Sequence, residues 1–322
     1  MRRELKLLWV LLPIIALALT GCGKGSDEVV GPEGIEEGVT LGKPGAPPAD
    51  PAIVFSAGEN LEQLTVMNTD GSNKALIFKD GRTIFHPSWS PDAKTVAFAR
   101  RTATGAELWL VDVAVVGGKP QGSNARMLLA SCNTCRPAWS PLGNEIAIAN
   151  NPAPSGEARD IQVIAVAGGT PVTLYTDLDG LVDDPTWSQD GMKIAFRNKD
   201  VLGSTGKNSI KVIDRMSGAV LATLVEGQFF VYEGVDWART QERIAFAAAP
   251  LEGGQNVYWV DIATGIATFV TAGRFPTWSP DDTQIVFQKK EKTQFKLKKI
   301  TLSTGSVIEL ARDGWYPDWR RF

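Results

Sequence analysis

The chain has 322 residues, with 32 glycines, 19 prolines, a single histidine and a formal net charge of −3. That length suits one large domain, and so many turn formers suit many short strands. One histidine excludes a multi-histidine metal site and leaves one candidate for a histidine-based triad, while the acidic balance excludes the basic footprint of a nucleic-acid binder.

The N-terminus is basic, with Arg2, Arg3 and Lys6 ahead of a 13-residue apolar run from Leu7 to Leu19. Such a run is short for a membrane span and sized for the core of a signal peptide. It closes on Leu19-Thr20-Gly21-Cys22, which resembles the bacterial lipobox, in which the cysteine is lipidated and becomes the mature N-terminus. The other reading is a plain secretory signal with an incidental cysteine. Residues 1–21 are therefore expected to be a lipoprotein signal peptide and Cys22 the lipidation site, leaving a mature net charge of −5. Gly23 rather than aspartate follows, which by resemblance to envelope sorting rules favours the outer membrane with the domain in the periplasm. Residues 22–50 are rich in glycine, proline and acid, lack aromatics, and carry a net −4. They read as a flexible tether with a root-mean-square span of about 30 Å. The membrane is reached through the N-terminal lipid only.

From residue 51 the chain turns to short β-branched and aromatic runs. Ala52–Phe55, Leu64–Asn68 and Ala75–Phe78 read as three strands. A unit then begins that recurs to the end. Pro87-Ser88-Trp89-Ser90-Pro91-Asp92 leads to Val96-Ala97-Phe98, Pro137-Ala138-Trp139-Ser140-Pro141 to Ile146-Ala147-Ile148, and Pro185-Thr186-Trp187-Ser188 to Ile194-Ala195-Phe196. A decayed copy surrounds Trp237, the cleanest copy is Phe275–Phe287, and a half copy, Pro317-Asp318-Trp319, ends the chain. Each full copy encodes strand, turn, strand: proline opens a strand where its missing N–H is least needed, and Ser-Pro-Asp presets a tight turn. The six tryptophans are 50, 48, 50, 41 and 41 residues apart. Repeats of roughly 40–50 residues built of short strands indicate propeller blades rather than a sandwich. Third strands are expected at Leu108–Val111, Ile161–Ala165, Ile210–Ile213, Val257–Val260 and Phe295–Ile300. The first three runs lack an inner strand, and Trp315–Phe322 lacks the other three. The expectation is an all-β, six-bladed β-propeller of four-stranded blades over residues 51–322, a monomer, with the C-terminal strand completing the N-terminal blade and closing the ring.

The pattern P-x-W-S-P-D-G-x-x-I-A-F resembles the repeat of the TolB-type, WD40-like propeller family, and four of the six copies keep P-x-W-S. The resemblance covers about residues 51–322. It implies the propeller fold and a partner, a lipoprotein in TolB proteins, received near one mouth of the channel. TolB proteins also carry an N-terminal α/β domain, whereas a tether stands in that place here.

Residues just before each inner strand rim one mouth of a propeller. Three positions before each tryptophan stand His86, Arg136, Asp184, Gly234, Phe275 and Tyr316; one position earlier stand Phe85, Cys135, Asp183, Glu233, Arg274 and Trp315. A ring of mixed charge and aromatics, with His86, Arg136, Asp183, Asp184, Glu233, Arg274, Phe275 and Tyr316 as its binding residues, suits an envelope protein or peptide. The bland alternative is loop residues that satisfy one another. Cys132 and Cys135 are expected to form a disulfide outside the cytoplasm. A haem site would need histidine where Arg136 stands. Asp177, Asp179 and Asp183 are a candidate calcium set, against a reading as solvated turn residues; no other metal or cofactor is expected. Gly203–Lys207 superficially resembles a phosphate loop but lacks its first glycine and its helix, and reads as a hairpin tip. Lys296 and Lys298 face the same way in a basic last blade, a pattern usual for solubilising edge charge.

The leading reading is a non-catalytic scaffold in the cell envelope. The alternatives are a hydrolase or lyase working in the cavity with a carboxylate pair among Asp183, Asp184 and Glu233, or a small-ligand sensor. No G-x-S-x-G elbow is present in these 322 residues, and the hydrolase domain that propeller-bearing serine peptidases carry is not expected here.

Overall fold

A computed structural model describes residues 49–321, apart from 133, 152–157, 201–207 and 250–253. The expected signal peptide, Cys22 and most of the tether lie outside the described residues, as does the 203–207 hairpin tip.

Among the described residues, twenty-four strands pair into six four-stranded antiparallel sheets. Blade one holds β1 (Ile53–Ala57), β2 (Gln63–Met67) and β3 (Ala75–Lys79). Blade two is β4 (Ile84–Trp89), β5 (Thr95–Arg101), β6 (Ala106–Val116) and β7 (Lys119–Cys132). Blade three is β8 (Cys135–Trp139), β9 (Glu145–Asn150), β10 (Asp160–Ala165) and β11 (Val172–Thr176). Blade four is β12 (Gly180–Trp187), β13 (Lys193–Asp200), β14 (Asn208–Asp214) and β15 (Val220–Leu224). Blade five is β16 (Phe230–Trp237), β17 (Arg243–Ala249), β18 (Asn256–Asp261) and β19 (Ala267–Ala272). Blade six is β20 (Arg274–Trp278), β21 (Gln284–Glu291), β22 (Gln294–Thr301) and β23 (Ser306–Arg312). The last strand, β24 (Trp315–Trp319), is the inner strand of blade one and pairs with β1, Ile53 opposite Trp319. The ring therefore closes as the split repeat required, and no blade is left with an open inner edge.

Second strands are unbroken apolar runs because neighbouring blades cover both of their faces. Val96, Ala97, Phe98 and Ala99 are all fully buried, and so are Ile285, Val286 and Phe287. Each tryptophan packs back onto the preceding blade: Trp139 joins Ala97 and Leu108, and Trp278 joins Ala245 and Val257. The seam between blades six and one is built the same way, from Val286, Leu297 and Leu310 against Ile53, Phe55, Met67 and Trp319. In the turns after Trp89, Trp187 and Trp278, the serine hydroxyl bonds the aspartate and takes the returning strand's N–H, as Ser279 does with Asp281 and Gln284. The fourth turn position is left-handed at Ala93, Gly143, Gly191 and Asp282.

The residue between proline and tryptophan has a use the motif alone does not reveal. Its side chain accepts the tryptophan backbone N–H of the next blade: Ser88 from Trp139 at 3.1 Å, Thr186 from Trp237 at 3.1 Å, Asp236 from Trp278 at 2.8 Å, Thr277 from Trp319 at 3.1 Å and Asp318 from Trp89 at 2.7 Å. Ala138 has no such group, and Arg321 reaches the Trp187 carbonyl there instead. In the decayed fifth copy, Arg239 buries itself and ion-pairs with Asp236.

The outer hairpin of blade two departs from expectation. Leu108–Val111 is only part of β6, which runs to Val116, turns at Gly117-Gly118 with both φ positive, and returns as the 14-residue β7. The extension is largely exposed, so no apolar alternation marks it in the sequence.

Candidate binding site at the channel mouth

Each inner strand breaks its register at the same place, between Phe85 and Ser88 in β4 and between Asp183 and Thr186 in β12, for example. The residue three before each tryptophan lies in that bulge and is left-handed: φ is 50° at His86, 42° at Arg136, 49° at Asp184, 77° at Gly234, 50° at Phe275 and 52° at Tyr316. A bulge re-aims its side chain, here toward the axis. A non-glycine residue in this conformation costs on the order of 1 kcal/mol, a strain repeated at five of the six places. Gly234 is the exception, and a Cβ there would stand 2.6 Å from the Phe275 Cα. Gly234→Ala is expected to destabilise the domain by about 2 kcal/mol, measured by urea denaturation; an unchanged midpoint would contradict this packing.

Three stacked rings line the axis: these six residues, then Pro87, Pro137, Pro185, Val235, Pro276 and Pro317, then the hydrogen-bonding ring that includes Asp236 and Asp318. The cavity they enclose is only about 90 Å³. Ligand pockets are usually about 300 Å³ or more, so the axial cavity is narrow by comparison. The rim widens on one side. His86, Arg136 and Tyr316 also line a cleft of about 300 Å³ with Leu61, Phe85, Arg101 and Thr134.

The mouth has two halves. On one, His86 and Tyr316 stack with ring centres 4.1 Å apart, and Phe275 meets Tyr316 at 4.7 Å. On the other, Arg136 pairs with Asp184 at 2.7 Å, Glu233 at 3.3 Å and Asp183 at 3.6 Å, while Asp184 also accepts the Gly234 N–H at 2.7 Å. Burial opposes the Arg136 charge, but the three carboxylates outweigh it and hold the guanidinium above its ordinary range. Burial lowers the His86 pKa well below its usual value, and Arg136 adds to this, so the imidazole is neutral at pH 7. Burial likewise raises Glu233 and Tyr316.

The predicted residues divide. His86, Arg136, Asp184, Phe275 and Tyr316 line the axis. Asp183 and Glu233 sit one position earlier and pair with Arg136; their charges also act on His86 and Tyr316 respectively. Arg274 does not join the ring: it turns outward onto Phe295 and Trp315 at 4.7 and 4.8 Å. The bulge sets the difference: the residue in it and the two after it line the axis, and the residue before it does not. Arg197, not anticipated, pairs with Asp183; it stands directly opposite on β13, where aligning the hairpin would have placed it.

The calcium expectation is not supported. Asp177 is bound to Lys211 at 2.9 Å and to Asn198 at 2.6 Å, Asp183 is held by arginines, and no cluster of acidic, histidine or cysteine residues that could hold a metal occurs among the described residues. Cys132 and Cys135 are joined as a disulfide with Cα atoms 5.4 Å apart.

Below the mouth, burial and the neighbouring Asp236 push the Asp318 carboxyl up to about 7 from an unfolded 3.8. A raised folded pKa means that raising the pH through that interval works against the fold, fully so above 7. Asp318→Asn keeps an oxygen for the Trp89 N–H. It is expected to change little at pH 4 and to stabilise by on the order of 2 kcal/mol at pH 8, after allowance for partial solvent access. Melting curves at the two pH values check this; no gain at pH 8 would contradict it.

Comparison with known proteins bears on the same residues. A family profile described as the TolB beta propeller domain matches residues 52–316. The chain belongs to the TolB β-propeller family. A 79-residue segment, 24% of this chain, is 35% identical to the Tol-Pal system protein TolB of Zymomonas mobilis but spans only 16% of that relative. The crystal structure of TolB from Acinetobacter baumannii superposes with a TM-score of 0.63 at 18% identity, covering 84% of this chain and 66% of that one. A chain of the nidogen/laminin complex gives 0.64 at 8% identity, covering 84% and 98%. At these identities the structural matches establish the propeller fold.

Proposed function

We propose that this TolB-family propeller is a non-catalytic binding module of the cell envelope that takes a protein or peptide segment at the channel mouth. One observation carries the reading: His86, Arg136 and Tyr316 line both the axial cavity and the adjoining cleft. The rim thus offers an aromatic anchor beside a fixed charge cluster, with space next to it for a side chain. Aromatic residues and arginine in such settings dominate the energy of protein interfaces. The small axial cavity favours recognition at the rim over chemistry inside the channel.

The envelope setting rests on the sequence. Residues 1–21 form the signal peptide, Cys22 carries the lipid, and the acidic tether to residue 50 lets a monomeric propeller range about 30 Å from an outer membrane on its periplasmic side. The partial match to a Tol-Pal system protein agrees with that setting. Envelope proteins are captured on the purified wild-type domain and on Tyr316→Ala, with melting temperatures matched. A partner held by wild type and lost by the variant supports the reading. A partner held equally by both, or none, counts against it.

A further inference from the structure

The basic last blade is not uniformly solvated. Lys296 pairs with Glu309 at 2.7 Å and with Glu291 at 3.1 Å, and Lys298 pairs with Glu291 as well. Arg274, Lys289 and Lys290 differ. Together with Phe295, Gln255 and Gln288 they line a cleft of about 420 Å³ at the edge of blades five and six. Among the described residues none of the three cations makes an ion pair, unlike Lys296, Lys298 and Arg312 of the same blade.

Arg274 is held in place by neutral groups. Its Nε–H donates to the Gln288 Oε1 at 2.6 Å, and Gln288, fully buried, donates in turn to the Gly314 carbonyl at 2.7 Å. The guanidinium lies against three rings, Phe295 at 4.7 Å, Trp315 at 4.8 Å and Phe275 at 5.2 Å from its carbon. Lys290 lies 5.5 Å from the Phe295 ring centre. Gly273 also lines the cleft, and a Cβ there would come within 2.5 Å of the Phe287 ring. A planar cation fixed by stacking and by one hydrogen bond at Nε keeps its terminal nitrogens for a bidentate partner, and its ordering cost is already met. A half-buried cation without a carboxylate is costly, and an incoming anion removes that cost.

From this arrangement we infer that the cleft is an oxyanion site for a small acidic molecule, with Arg274 gripping a carboxylate or phosphate group and Lys289 and Lys290 flanking it. The volume fits a small molecule, and the site is separate from the axial mouth, so it stands or falls independently of the partner proposed there.

Calorimetric titration of the full chain at low ionic strength tests this, with inorganic phosphate and glutarate as free probes and phosphatidylglycerol vesicles as the lipid source. At least one free probe is expected to bind, with affinity reduced about tenfold or more by Arg274→Gln and by the surface pair Lys289→Ala, Lys290→Ala. Lys298→Ala, whose charge is already paired, is expected to leave it unchanged. The surface pair keeps the test valid should Arg274→Gln fail to fold. The site is overturned by no binding of either free probe up to about 20 mM, by binding indifferent to the pair, or by Arg274-dependent binding to vesicles alone.

Discussion

Removing residues 315–322 is expected to abolish the cooperative thermal transition of the whole domain, not merely to lower it. The strand β24 supplies three connections at once. It is the inner strand of blade one, paired with β1. Its Trp319 completes the apolar seam with Val286, Leu297 and Leu310. Its Asp318 and Trp319 hydrogen-bond Trp89 in blade two and Thr277 in blade six. Loss of one such tryptophan alone costs about 3–5 kcal/mol. A domain typically has about 5–15 kcal/mol in all, so losing the strand, the seam and both bonds exceeds what it can spare. The bared edge of β1 is also a template for aggregation. Circular dichroism melting and size-exclusion chromatography check this, and a truncated chain with an unchanged melting temperature would refute ring closure.

The second large effect lies at the mouth. Arg136→Met is expected to destabilise the domain by about 3–5 kcal/mol at pH 7.5, because it leaves three carboxylates sharing one remaining arginine, Arg197. The Asp184 side chain is only 7% exposed, so water cannot replace the lost partner. The deficit is expected to shrink as the pH falls toward 4, where protonation relieves the uncompensated charge. Urea denaturation at both pH values separates this from lost packing: an equal deficit at pH 4 and pH 7.5 would mean that the arginine stem, not its charge, matters.

The fold was legible because a propeller repeats its instructions. Six tryptophans at regular spacing and a split first repeat specify blade number and closure together. The axial ring was legible in outline, since position relative to each tryptophan brought His86, Arg136, Asp184, Phe275 and Tyr316 to one rim. What escaped was direction. Two adjacent rows read as one ring in the sequence, but the backbone bulge turns only the second inward and leaves Arg274 of the first in a separate cleft. The bulge and its left-handed backbone leave no compositional mark, because residues as different as His86, Asp184 and Tyr316 occupy it. Charges were also counted locally: Asp177 and Asp183 are near in sequence, but Lys211 and Arg197, from other strands, draw them into separate pairs.

The rim is the proposed partner surface. The most direct test places a photo-crosslinking phenylalanine analogue at position 316 and, in a second chain, at Val172, which is 59% exposed on the outer strand β11. Both chains are expressed in the native envelope and irradiated. The account predicts a discrete adduct with an envelope protein from position 316 and none from position 172. An adduct from 172 with none from 316 would contradict it.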